Sequence, residues 1–383
     1  VVVALALAVS SAEAVAVPFH AAAAKPIDPR DVPVVSTQYA PPPVGDPATP
    51  QGNFAPLSTL SGPGGTHFDP ARSKVVSRSM FREEYLNPDG THSVRQSTTP
   101  LNVRDAAGGW QPVDTGLEVD AGSKRAAAKR QVLNPSLAAK ADDPALVSVA
   151  TEGARASLRL EGAAPSPAKV NGSAVSYAEV APDTDLDYQV TSALLKETVL
   201  VKRPPAAGKA SWRFHLDTDG VSPELDRAGE VLFKDAAGAV RMAIPPVTTW
   251  DSAGGDNTPP AVTGGGYQLD RAAGNGWTLT VSVDEAWLHD AKRVYPVHVD
   301  PSFTFGATEL HAYKSDGYTC DYCALQAGNS LSGANGGDTY WRTALHFDYS
   351  SLVGKTVVGA RLDVQRDTST PGSVRTWNMD LYH

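Results

Sequence analysis

The sequence predicts an all-β protein: an antiparallel β-sandwich-like domain followed by a second, smaller β module. Three observations carry this reading. Short runs of alternating apolar and polar residues recur along most of the chain. Gly 33 and Pro 30 punctuate them and favour many turns over long helices. The one region rich in helix formers, Ala121–Lys140, is interrupted by Pro135 and has no clean apolar face, so it is expected as a loop or insertion with at most a short helix.

In chain order, the opening VVVALALAVSSAEA comes first. Val1–Val9 is too short to span a bilayer but has the length of a signal-peptide core, and Ala12-Glu13-Ala14 supplies a small-x-small cleavage site. Residues 1–14 are therefore expected to be a leader with a clipped start, and the protein to be secreted, extracellular or cell-wall associated. From Pro18 to Pro63 there are 11 prolines and few large apolar residues, so 15–70 reads as an extended, disordered linker.

From about Val75 to 300 the pattern is β. Asn87-Pro88-Asp89-Gly90 is a strong turn signal. Leu101 and Val103 precede Asp105-Ala106-Ala107-Gly108-Gly109, with Trp110 and Val113 after it, which reads as a hairpin. The same chemistry returns around Asp235-Ala236-Ala237-Gly238, with cousins at Asp226–Gly229 and Asp270–Gly274. Strands are expected at Ala145–Ala150, Ala156–Leu160, Ala174–Val180, Leu186–Val190, Leu194–Val201 and Trp212–Leu216. The Gly-rich Asp251–Gly266 stretch reads as a loop. In Gly276–Pro301, Trp277, Leu279, Val281 and Val283 share one face of a strand, Asp284–Leu288 turns the chain, and Tyr295, Val297 and Val299 begin a last strand stopped by Pro301. His298, within that strand, reads as a packed or edge residue. The stretch is expected to close the first domain and lead into the module at 301–383, where Trp341, Thr343, Leu345 and Phe347 alternate and Val357–Val364 forms another run.

Function classes are narrowed by charge and by missing motifs. Lys+Arg 33 against Asp+Glu 42 gives net −9, the wrong sign for a phosphate backbone or an anionic membrane, so no nucleic-acid partner and no membrane span are expected. G-x-S-x-G, HExxH, Walker A and dinucleotide fingerprints are absent. Asp183, Asp185 and Asp187 alternate as in a calcium loop, but Tyr188 stands where that loop needs Gly; they read as a solvated strand entry. Glu83-Glu84 and Asp284-Glu285 are adjacent pairs that point to opposite faces and cannot flank a glycosidic bond. No catalytic, cofactor-binding or metal-ligating residue is nominated, and the chain is expected not to be an enzyme. Cys320 and Cys323, the only cysteines, fit a zinc half-site, a redox motif or a local disulfide. Zinc would need two further ligands and a redox motif a βαβ setting, so a disulfide closing Gly317–Leu325 is expected in an oxidising compartment. Tyr318 and Tyr340, in an aromatic-rich stretch, are candidate glycan contacts.

Two passages resemble a known family. Arg342, Leu345, Phe347-Asp348, Ser351-Leu352, Gly354, Val357, Ala360 and Leu362 are similar to the middle of a DNRLRE-type module. NPDGTHSVRQSTTPLNVRDAAGGWQPVD and WTLTVSVDEAWLHDAKRVYPVHVDP resemble the N-terminal region of secreted actinobacterial RHS/YD-repeat proteins, relatives of wall-associated polymorphic toxins. The resemblance implies a partial jelly-roll-like β-sandwich at 301–383 and a non-catalytic extracellular structural or adhesion segment. Its partners would be a cell-wall or surface glycan and the downstream part of its own chain. The alternative is a glycan-binding accessory region of a secreted cell-wall or polysaccharide hydrolase.

Overall fold

The computed structural model describes residues 3–10, 67–227, 229–253, 262–272, 276–306, 310–314, 319–320, 328–330, 339–345, 347–348 and 350–364. Within them the protein is all-β and antiparallel, as expected, with one short α-helix at Glu285–Leu288. The strands from Asp114–Val119 to Phe303–Phe305 join into one hydrogen-bonded ring. One run of neighbours is Val147–Thr151, Ala154–Leu160, Ser211–Asp219, Trp277–Val283 and Val262–Arg271. The other runs from Ala168–Asn171 through Ala174–Ala181, Thr184–Val190 and Leu194–Val201 to Val297–Asp300 and Thr248–Trp250.

Period-two sequence becomes period-two burial. Thr184–Val190 and Leu194–Val201 alternate buried and half-buried residues without a slip. The buried set meets in a single core with Tyr177, Leu186, Leu195, Phe214, Phe233 and Phe303, each 1% exposed or less. Burial on this scale is the main favourable term in folding.

The recurrent Asp-Ala-Ala-Gly turns are alike in structure. Asp105 Oδ1 accepts from the Ala107 and Gly109 amides, and Asp235 Oδ1 accepts from those of Ala237 and Ala239. The second oxygen of each takes a side chain from the next strand, Gln111 or Arg241. Gly108 and Gly238 both sit at φ 83°, a left-handed conformation that glycine adopts without strain. These hydrogen bonds hold both carboxyls below their ordinary range, led by the Gln111 side chain at Asp105 and the Ala239 amide at Asp235.

Two segments differ from expectation. Ala121–Lys140 is not a loop: Ala126–Arg130 pairs with Asp114–Val119, and Ser136–Leu137 pairs with Val147–Thr151. Its helix-forming alanines are overridden by tertiary burial, with Leu133 and Leu137 at 0% exposure. Nor does the Gly-rich stretch end as a loop. Val262–Arg271 pairs first with Thr248–Trp250 and then, from Gly265 onward, with Trp277–Val283, so it turns a corner between the two runs of strands. A Cβ on Gly265 would lie 2.5 Å from the Ser282 carbonyl oxygen and 2.6 Å from Val247, whereas one on Gly264 would meet nothing within 4 Å. Glycine is what allows the backbones to approach there.

Past Pro301 the first domain continues, because Phe303–Phe305 pairs with Leu194–Val201 and with Val240–Ile244. A separate meander of Lys74–Ser79, Arg82–Leu86 and His92–Ser97 extends through Val3–Ser10, the apolar opening run, to Thr356–Val364. The Gln96 amide meets the Asp348 backbone N–H at 2.9 Å and carbonyl at 3.1 Å, tying this meander to the Phe347-Asp348 pair. Leu310–Lys314, Thr319–Cys320, Gly328–Ser330 and Thr339–Leu345 form a four-stranded sheet.

The corner yields a paired prediction. Gly264→Ala should change stability by no more than about 0.5 kcal/mol, as for other uncrowded surface sites, while Gly265→Ala should cost roughly 1–3 kcal/mol from overpacking. Urea denaturation of the two variants distinguishes them, and equal losses would contradict the close approach at Gly265.

Candidate functional site

Ionisable side chains gather on the outer face of the sheet closed by Val297–Asp300. Leu200, His298 and Trp250 are paired in one row across three strands. Their neighbours Val199 and Val299 point into the core, so this row points away from it. Trp250 is nevertheless only 1% exposed: the His298 ring stacks on it at 5.2 Å and 1°, and the Lys196 ammonium lies 5.3 Å from its centroid. Lys196 also pairs with Asp300 at 3.1 Å, and the Ser302 hydroxyl donates to the other Asp300 oxygen. Burial lowers the His298 pKa, against the Asp187 charge, which raises it. The imidazole is therefore neutral at pH 7. Its Nε2 lies 3.5 Å from Ser252 Oγ, but that hydroxyl donates to the Pro296 carbonyl at 2.6 Å, so the pair is not poised as nucleophile and base.

Beside this row, Asp251 is 0% exposed and receives the Arg293 guanidinium at 2.9 Å and the Val294 amide at 3.2 Å. Arg293 in turn covers the Trp287 ring at 4.0 Å. Asp284 caps the helix carrying Trp287 by accepting from the Ala286 and Trp287 amides. No spacing in the sequence signals the Asp251–Arg293 pair, whose members are 42 residues apart.

Two members of the alternating acidic run meet cations. Arg203 holds Asp183, and Lys202 bridges Asp185 and Glu179 at 2.6 Å each. Asp185 is the first cause of the raised Lys202 pKa. The Asp187 charge acts instead on His298, whose pKa it raises against burial. Glu83 and Glu84 take different partners, as adjacent strand residues must: Glu83 meets Arg78 and the Tyr85 hydroxyl, Glu84 meets Arg82 and His92. Burial, then Glu83, pushes the Tyr85 phenol up to about 12. Among the described residues, no three His, Cys, Asp or Glu side chains gather as they would around a metal ion.

A shallow pocket of about 410 Å³ lies where residues 67–72 meet the Asn87–Gly90 turn, lined by His67, Phe68, Asp69, Arg72, Pro88 and Asp89. His67 Nδ1 is 2.5 Å from Asp89 Oδ2. Thr91, whose hydroxyl and amide both donate to Asp89, is the main reason that carboxyl falls to about 2. Asp69 is engaged by the Arg72 side chain and the Ala71 amide. Both carboxylates thus serve the turns and hold the His67 and Arg72 side chains that line the pocket.

Of the residues nominated from sequence, Tyr318 and Cys323 lie outside the described residues. Cys320 is placed by backbone alone, opposite Ala312, and Tyr340 likewise, opposite Asn329.

No protein-family model and no solved structure matches the chain. Curated relatives do. The chain is 28% identical over 160 residues to "tRNA nuclease WapA" of Bacillus subtilis strain 168, which is 39% of this chain and 7% of the relative. It is 27% identical over 160 residues, again 39% and 7%, to "tRNA3(Ser)-specific nuclease WapA" of Bacillus spizizenii. The chain therefore spans a small fraction of the relatives it matches. The expectation of a protein that is not an enzyme is corrected by these names, each of which states a nuclease. No residue pattern could have carried that correction, because none of the catalytic signatures sought in the sequence is present. No helix among the described residues is long and apolar enough to cross a membrane.

The outer face gives two expected outcomes. Removing one partner of a buried ion pair typically costs about 3–5 kcal/mol, so Asp251→Ala should destabilise the chain by that order in thermal or urea unfolding. Because folding lowers the His298 pKa from its ordinary value of 6.5, the unfolded chain takes up that proton first, and stability falls as pH drops through this value. His298→Phe should keep the stack on Trp250 and become more stable relative to the parent as pH falls from 7 to 5. A steeper loss in the variant would contradict the neutral, packed imidazole.

Proposed function

We propose that this chain is a framework segment of an exported, toxin-related protein that acts on tRNA, in which the β ring carries and displays neighbouring parts of the polypeptide outside the cell. The single observation that supports the reading is the similarity over 160 residues to proteins named as tRNA nucleases, of which that stretch makes up only 6–7%. A segment that is so small a share of a much longer relative, and in which Asp183, Asp185, Asp251 and Asp300 each meet a Lys or Arg of the same framework, suits a carrying role within a larger enzyme. The resemblance of two passages, at 87–114 and 277–301, to the N-terminal region of RHS/YD-repeat proteins, and of the later strands to a DNRLRE-type module, supports the same role. Surface attachment through a glycan belongs to this proposal and rests on the aromatic-rich stretch around Tyr318 and Tyr340.

The test is fractionation of the producing cells with an antibody raised against this chain. The protein should be found in the medium or the wall fraction, and the native protein captured by that antibody should cleave added tRNA. Recovery from the cytoplasm alone would contradict export. A captured protein inert toward tRNA would contradict the enzymatic part of the reading.

A further inference from the structure

The strand Leu194–Val201 sends Leu195, Glu197, Val199 and Val201 into the core, at exposures of 0%, 2%, 0% and 2%. Three are apolar and one is an acid. Glu197 Oε1 has no hydrogen-bond partner, and Tyr188, directly opposite it in the ladder, is the one side chain that eases the cost of burying its charge. The backbone amide of Glu197 donates to Ser302 Oγ at 2.9 Å, across 105 residues of chain, and Ser302 donates onward to Asp300. Glu197 therefore sits on the seam where Leu194–Val201 meets Val297–Asp300 and Phe303–Phe305, the last strands to join the ring.

An ionised carboxylate in such a place is expensive unless a cation or several donors meet it. The groups that bear on Glu197 supply neither. Burial acts first and pushes its pKa up to about 8; Tyr188 opposes that push, and the negative Asp300 on the neighbouring strand adds to it. Tyr267, from Val262–Arg271, donates its hydroxyl hydrogen bond to the Pro245 carbonyl at 3.0 Å and feels the Glu197 charge only as repulsion of its own anion. Lys196 lies on the other face of the strand, engaged by Asp300. His298 also lies on that face and titrates in the opposite sense.

We propose that Glu197 is a proton-operated latch: the ring closes with this carboxyl neutral, and loss of its proton to water loosens the seam that holds the strands at 297–305. Those strands immediately precede the segments at 310–364, so the latch governs how firmly the ring anchors them. The direction is set by linkage. The folded chain keeps the proton up to about pH 8, while the unfolded chain releases it near the ordinary value of 4.5. Stability is full below the lower value and falls between the two, by about tenfold in the opening equilibrium per pH unit.

The test is hydrogen–deuterium exchange of the complete 383-residue chain at several pH values, corrected for intrinsic exchange rates. Protection of the amides in Leu194–Val201 and Phe303–Phe305 should fall about tenfold per unit from about pH 6.5 to 7.5, above the range in which His298 takes up its proton and opposes the trend. Glu197→Gln should abolish that dependence and leave the seam protected at pH 8. Identical pH profiles in the parent and Glu197→Gln would overturn the proposal. If that variant does not fold, infrared spectroscopy of the parent decides: a buried protonated carboxyl band at pH 6 that fades on approaching pH 8 supports the latch, and no such band at pH 6 overturns it.

Discussion

Closure of the ring along Leu194–Val201 is the constraint on which the rest of the structure depends. One edge of this strand is taken by its sequence neighbour Thr184–Val190, an inexpensive local pairing. The other edge waits for Val297–Asp300 and Phe303–Phe305, about a hundred residues later. Loop-closure entropy opposes such a contact, but only logarithmically in loop length, and burial of Phe303 against Phe233, with ring centroids 5.6 Å apart, offsets it. Closing the ring also removes the open strand edges that would otherwise invite aggregation.

That closure organises polar chemistry on both sides of one sheet. Its outer face takes Lys196, Asp300, His298 and Trp250 into a packed row whose charges are matched. The inner face keeps a single acid, Glu197, among apolar neighbours. The alternation of a strand is enough to place Lys196 and Glu197, adjacent in sequence, in opposite environments. Much of the visible polar chemistry is thus framework, while the relatives named as tRNA nucleases are much longer than the stretch they share with this chain. Net charge is a poor guide in such a case, since −9 over the whole chain says little about a site confined to a short segment.

Much of the fold was legible in the sequence. Period-two patterns located Ala174–Ala181, Leu194–Val201 and Trp277–Val283 to within a residue or so, and Asp-Ala-Ala-Gly located turns that prove alike bond for bond. The failures have physical causes. Ala126–Arg130 is a strand because neighbours pair with it, against the propensity of its alanines. Gly265 lies in a corner where the close approach of the Ser282 backbone leaves no room for a side chain. Pro301 does not stop the domain, because a proline between strands breaks one ladder without preventing Phe303–Phe305 from joining another. The site was harder to read: the strand around His298 reveals a packed imidazole, but Asp251–Arg293 joins residues too far apart for any local pattern to reveal.

Whether the strands at 297–305 close the ring is tested most directly by truncation. A chain ending at residue 306 keeps every strand of the ring, so it should unfold cooperatively and resist limited proteolysis between 114 and 300. A chain ending at 301 loses Phe303, which is 1% exposed, and strips Leu194-Leu195 and Met242-Ala243 of their ladder partners, so it should be cleaved readily within the same region. Equal resistance of the two chains would contradict closure through Phe303–Phe305.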